Sequence, residues 1–178
     1  MADLGSAGRD VTTRPATAAD RRQVDDLQER VFGPGRFARS AYRVREGTPF
    51  VSRFCRVAIN DGKIIAALRM TPVLVGGTSG ALLLGPLAVD PAYANLGYAR
   101  RLIAESLDAA TAAGVTLVVL VGDMAYYGRL GFDRVPPGQI SFPGPADPAR
   151  ILAKELAPGA LQRAVGQVIA DKASDHWG

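Results

Sequence analysis

The stretch Leu84-Gly85-Pro86-Leu87-Ala88-Val89-Asp90-Pro91-Ala92-Tyr93-Ala94-Asn95-Leu96-Gly97-Tyr98-Ala99-Arg100-Arg101-Leu102 changes its hydrophobic period half-way. Ala81 to Val89 is almost wholly apolar, as a strand buried on both faces should be, and Asp90-Pro91 ends it. From about Asn95 to Ala113 the period is helical: Ala99, Leu102, Ile103, Ser106, Ala110 and Ala113 share one face, with Arg101, Glu105 and Asp108 on another. Gly114 is a helix-end signal, and Val115 to Val121 is a second apolar strand. Strand, helix, strand is a βαβ unit, so the two strands should run parallel.

Upstream, the pattern is antiparallel. Arg53 to Ile59 and Lys63 to Val75 read as strands around the hairpin signal Asn60-Asp61-Gly62, and Gly76 to Gly80 reads as a second turn. Val11 to Arg14 reads as a short strand ended by Pro15. Thr17-Ala18-Ala19-Asp20 resembles a capping box ahead of Val24, Leu27 and Val31 at helical spacing, and Gly33-Pro34-Gly35 stops that helix. Arg36 to Phe50 reads as a basic, aromatic-containing loop region with room for a short helix. Beyond Val121 the pattern predicts a short helix over Ala125–Leu130, a helix over Ala149–Leu156 and a strand near Val165–Ala170. Residues 1–10 are expected to be a frayed N-terminus, 11–170 one domain and 171–178 a C-terminal tail.

Composition removes several chemistries. One cysteine, Cys55, excludes an internal disulfide, and with the one histidine, His176, it cannot supply a structural zinc site. A Cys–His pair or a Ser–His–Asp triad would have to recruit that histidine from the chain's end. No apolar run reaches the ~20 residues a bilayer span needs. Met1 to Gly5 carries neither a basic nor an apolar signal region, so the expectation is a soluble cytoplasmic protein. The net charge of +4 is uneven: Arg30, Arg36, Arg39, Arg43, Arg45, Arg53 and Arg56 fall in one stretch against Glu46 alone. That excess is either a solvated surface or an attractor for an anion, whether a phosphorylated cofactor or an acidic substrate. Nucleic acid is disfavoured, because no finger, RNA-binding aromatic motif or Lys-rich tract accompanies it.

A helix start offers unpaired N–H groups and a partial positive charge to a phosphate, and Gly97 lets a pyrophosphate approach the backbone. The segment Ala94-Asn95-Leu96-Gly97-Tyr98-Ala99 resembles the acetyl-CoA loop Gln/Arg-x-x-Gly-x-Gly/Ala of the GCN5-related N-acetyltransferases (GNAT). Gly97 and Ala99 match, and Ala94 departs from the usual Gln or Arg. Gly122-Asp123-Met124-Ala125-Tyr126-Tyr127-Gly128-Arg129-Leu130-Gly131-Phe132 is similar to a second segment of that family, and together the two resemble its YhbS-like subgroup.

The resemblance implies a mixed α/β fold. Its central sheet is mostly antiparallel, with helices on both faces, and the strands ending at Val89 and Val121 are parallel but splay apart. It implies acetyl-CoA as co-substrate, with Leu87, Ala88 and Val89 pairing with the pantetheine arm. Asn95, Leu96, Gly97, Tyr98, Ala99 and Arg100 would cradle the pyrophosphate. The amide of Leu87 or Ala88 would serve as oxyanion donor and Tyr127 as the acid that protonates the departing thiolate. The acceptor would be a small-molecule or peptide amine, with no metal, no nucleic acid and no membrane involved, and a homodimer is common in the family. No base is assigned: Asp123 reads better as a helix cap, and Glu46 is a weaker candidate. A non-catalytic acetyl-CoA-binding sensor is the alternative, favoured by Ala94 and the missing base and opposed by Tyr127. A dinucleotide-binding fold lacks its Gly-x-Gly-x-x-Gly.

Overall fold

The structure, a computed structural model, describes residues 10–178 apart from the side chains of Phe37 and Ala38; residues 1–9, expected to fray, lie outside it. Its strands are β1 (Thr12–Pro15), β2 (Arg56–Asn60), β3 (Lys63–Val75), β4 (Thr78–Val89), β5 (Leu117–Val121), β6 (Asp133–Arg134), β7 (Ile140–Ser141), β8 (Ile151–Glu155) and β9 (Gly166–Ala170). Its helices are α1 (Arg21–Phe32), α2 (Ser40–Arg45), α3 (Tyr98–Ala112), α4 (Met124–Tyr127) and α5 (Ala160–Arg163). The sheet runs β1-β2-β3-β4-β5-β8-β6, with β9 added to the far end of β3 and β7 beside β9.

Two tight turns set the register of the meander. Asp61 (φ 51°) and Gly62 (φ 74°) close the β2–β3 hairpin between the paired Asn60 and Lys63. Two successive positive φ angles match the twist of the flanking strands. Gly76 and Gly77 do the same between Val75 and Thr78, so β4 begins at Thr78 rather than Ala81. β4 and β5 are parallel, as the βαβ reading requires, with Ala81, Leu82 and Leu83 opposite Leu117, Val118 and Val119.

Alternation sends side chains to two layers. Leu82, Leu84, Val118, Leu120 and Leu152 pack with Leu102 and Ile103 of α3. Ala81, Leu83, Leu117, Val119, Ile151 and Ala153 face the other way, toward Val44 of α2 and Val168 of β9. Val24 and Leu27 of α1 cover Val57, Ile64, Ala67 and Ala88 on that second side. The sheet therefore has helices on both faces.

One predicted element is wrong. Ala149–Leu156 is not a helix: Pro148–Arg150 is a single 3-10 turn, and Ile151–Glu155 is β8, antiparallel to β5 along its full length. Leu, Ala, Lys and Glu are good helix formers, which misleads a local reading. The free edge of β5 overrides that propensity, because pairing there satisfies both backbones and buries Ile151, Leu152 and Ala153. β2 also starts later than predicted, at Arg56, because Arg53 and Phe54 form a turn that the Cys55 N–H closes by donating to the Ser52 carbonyl at 3.2 Å.

Candidate active site

The β4–β5 ladder stops at Leu83 and Val119, although β4 continues to Val89 and β5 to Val121. Past that point β4 keeps only its partner β3. A bulge marks the divergence: Leu68 pairs with Leu87 but Met70 with Leu84, so Gly85 and Pro86 crowd opposite Arg69. The Asp90 N–H donates to the Ile65 carbonyl at 2.8 Å. Amides alternate between the two edges of an antiparallel strand, so Ala88, paired with Ala67, also turns its N–H and C=O to β3. The amides of Leu87 and Val89 face the open edge. Of the three residues expected to pair with a pantetheine arm, these two present backbone groups to the gap and Ala88 does not.

The chain leaves β4 through Asp90, whose carboxylate accepts from the Ala92 N–H at 3.0 Å and from Arg30 at 3.0 Å. Asn95 (φ 61°) and Gly97 (φ 87°) are both left-handed, and Gly97 is the residue from which α3 departs. The predicted helix therefore starts at Tyr98 rather than Asn95. At this helix start the N–H groups of Tyr98, Ala99 and Arg100 have no acceptor one turn back. Asn95, Leu96, Gly97 and Arg100 are exposed, while Tyr98 is buried against the core.

α4 stands beside this loop. Asp123 caps it, accepting from the Ala125 N–H at 2.9 Å. The Tyr127 ring lies across Gly122, where a Cβ would come within 2.6 Å of Tyr127 Cε2, and meets Phe132 edge-on at 5.8 Å. Burial, with a smaller push from Tyr126 and some relief from Arg150, drives the Tyr127 phenol up to about 12. Burial also raises Tyr126, against which Arg100 pulls, so the start of α3 and the helix α4 are neighbours.

Leu84, Gly85, Pro86, Leu87 and Tyr127 border a cavity of about 560 Å³. Its remaining walls come from Phe32, from Arg39 to Tyr42, from Leu83, from Val121 to Asp123 with Tyr126, and from Pro145 to Asp147 with Arg150. That volume suits a small molecule. Asn95 to Arg100 lie outside this cavity, as does Glu46. Of the basic segment, Arg39 and Tyr42 reach it; Arg36, Arg43, Arg45 and Phe50 do not.

A family model described as an acetyltransferase (GNAT) domain matches residues 12–135. The chain belongs to the GNAT family. It is 30% identical to the N-acetyltransferase YhbS of Escherichia coli strain K12 over 146 residues, which is 82% of this chain and 87% of that protein. The crystal structure of E. coli YhbS in complex with CoA superposes with a TM-score of 0.76 at 29% identity, covering 94% of this chain and 93% of that one. A GNAT family acetyltransferase from Brucella melitensis, solved with acetyl-CoA, gives 0.67 at 26% identity over 92% and 97%. No helix among the described residues is long and apolar enough to cross a membrane.

Within this GNAT fold, sequence reasoning missed Arg150, Asp147 and Arg69. Arg150 lay inside the misread helix. In the structure its Nε donates to the Gly122 carbonyl at 3.3 Å while its own carbonyl accepts from the Gly122 N–H at 2.9 Å. No local signal marks Arg69, which is isolated in an apolar strand.

Proposed function

We propose that this protein transfers the acetyl group of acetyl-CoA to a primary amine by direct attack on the thioester. The observation that carries the reading is the open edge of β4 in one cavity with a half-buried, proton-retaining Tyr127. The CoA and acetyl-CoA held by the two GNAT relatives support the choice of co-substrate. The Leu87 and Val89 backbones pair with the pantetheine amides, and the helix start at Gly97–Arg100 receives the pyrophosphate.

The amine arrives as the free base and its nitrogen attacks the acetyl carbonyl. Negative charge grows on the carbonyl oxygen and is met by the Leu87 N–H, a contribution of ~3–4 kcal/mol in comparable sites. The C–S bond then breaks, the thiolate takes the Tyr127 proton, the nitrogen releases its extra proton to solvent, and solvent returns a proton to the Tyr127 phenolate. A phenol held near 12 keeps its proton throughout the neutral range. Asp123 is engaged as a cap and takes no part.

The test is release of CoA thiol, read with a thiol reagent, from acetyl-CoA mixed with a panel of amines. Amine-dependent thiol release is expected. Tight acetyl-CoA binding with no thiol release on any amine would instead support the sensor reading.

A further inference from the structure

We propose that the acceptor is a primary amine that itself carries an anionic group, and that Arg39 and Arg150 hold that group. This rests on the acyl-transfer reading above. Both arginines line the cavity that contains Leu87 and Tyr127. Arg150 is anchored rather than loose: its Nε is tied to the Gly122 carbonyl, which leaves its terminal N–H groups for a ligand. Arg39 rests its guanidinium 4.5 Å from the Phe32 ring centroid. Among the described residues, neither forms an ion pair.

Two carboxylates share the lining and must be weighed. Asp123 and Asp147 each give one oxygen to a backbone N–H, of Ala125 and Ala149, at 2.9 Å. Two acidic and two basic side chains leave the lining taken alone balanced in formal charge. The layer behind it is not. Arg69 is 7% exposed, and its guanidinium stacks 4.3 Å from the Phe50 centroid. Arg45 stacks 4.6 Å from the Tyr42 ring, which is itself part of the cavity wall. The Arg45 Nε is buried with no hydrogen-bond partner.

No carboxylate pairs with Arg45 or Arg69 among the described residues. Burial, and next the charge of Arg69, bring Arg45 down to about 10, so it stays cationic at neutral pH. Asp25 is the one carboxylate whose charge favours both, and it forms an ion pair with neither. Two neighbouring like charges, one of them buried, with so little compensation are costly by themselves. An anion seated in the cavity supplies the missing charge through a low-dielectric wall, where attraction is little screened. A polycation meets repulsion from the same four arginines.

Matched pairs test this: β-alanine against β-alaninamide, and phosphoethanolamine against ethanolamine, with spermidine as the cationic control and rates referred to free amine. The anionic member should show the higher kcat/KM by roughly 10–100-fold, the size of one charge-assisted contact. The pair with the larger ratio separates carboxylate from phosphate. Arg39→Gln and Arg150→Gln should each shrink the ratio toward one, and Arg150→Lys should restore part of it, since charge returns without the planar fork. Acetyl transfer with spermidine or the neutral members equal or better overturns the proposal and leaves acyl transfer standing. If no amine is acetylated, acyl transfer fails, and calorimetric titration of the CoA complex with the same pairs still decides. Preferential binding of the anionic member, lost in Arg39→Gln, upholds the anion site; equal or absent binding overturns it.

Discussion

The two halves of the candidate site, only part of which lies in the cavity, are made of different material. The half assigned to the cofactor is backbone: the outward amides of Leu87 and Val89 beside the bulge, with the left-handed Gly97 and the helix start beyond it. The half assigned to the acceptor is side chain: Arg39 and Tyr42 from α2 and the turn before it, and Arg150 from the turn before β8. Backbone groups are the same for every residue type, so the first half tolerates substitution wherever the local conformation survives. Side-chain groups disappear with one substitution. That contrast explains how Ala94 can stand where the family pattern has Gln or Arg without removing the free amides at the start of α3.

The largest expected effect tests the residue at the junction of the halves. Tyr127→Phe should lower turnover by about 10²–10⁴ with acetyl-CoA affinity nearly unchanged, because the hydroxyl is needed as charge develops on sulfur. Steady-state kinetics with affinity measured separately decides it, and unchanged turnover where chemistry limits the rate removes the general-acid role. The loss should shrink with a thioester whose leaving thiol is more acidic.

Gly97→Glu attacks the backbone half alone. It forces a side chain onto a φ of 87° and puts an anion where the pyrophosphate arrives. Acetyl-CoA affinity should fall by roughly 100-fold, about 3 kcal/mol, with the fold intact. Calorimetry on the folded variant checks this, and undiminished affinity means that the loop does not hold the phosphates.

Gly122→Ala sharpens the boundary. Its Cβ would lie 2.6 Å from Tyr127 Cε2 and 2.9 Å from Leu120 Cδ1, so the ring must move. Turnover should drop on the order of tenfold or more through misplacement of the phenol, with cofactor binding retained. Equal losses in affinity and turnover would place the ring in cofactor binding instead.

The pH dependence has a defined sign. A general acid works while protonated, and Tyr127 is held near 12. The rate should therefore rise as the acceptor amine deprotonates and show no descending limb below about pH 10, where an ordinary phenol would begin to fail. A fall in kcat/KM centred well below that value contradicts the assignment.

The smallest effect concerns the scaffold. The Ala92 N–H and then Arg30 hold the Asp90 carboxyl below its usual range, and Arg14 does the same for Asp20. Both groups stabilise the fold above the ordinary carboxyl value of about 4, and that stability is lost as pH falls through their lowered values. Asp90→Asn should cost about 1 kcal/mol at neutral pH, modest because Arg30 is partly exposed, and should flatten the acid limb of a melting-temperature profile. An unchanged acid limb assigns the acid loss to other groups.

The backbone half was the more legible one for a physical reason. The change from strand to helix period, the glycine at the helix start and the capping Asp123 are all expressed within a few residues of where they act. The acceptor half was only partly legible. The arginine-rich stretch left a solvated surface and an anion attractor equally open, and only Arg39 of it lines the cavity, while Arg150 was hidden in a segment whose composition reads as helix.

By itself the sequence determined the βαβ unit, the tight hairpin at Asn60-Asp61-Gly62, the glycine near the start of α3 and the cap on α4, because turn chemistry, alternation and capping are local. Only the tertiary structure decided that Ile151–Glu155 is a strand, since the partner that outweighs its helix propensity is β5, remote in the chain. The same holds for which amides of β4 face the gap: the register with β3 turns Leu87 and Val89 outward and Ala88 inward. It holds also for Arg69, on which no local signal falls and which acquires a role only when Phe50 and Arg45 are folded over it. Pairing and burial join segments far apart in the chain, and no window of sequence contains both partners.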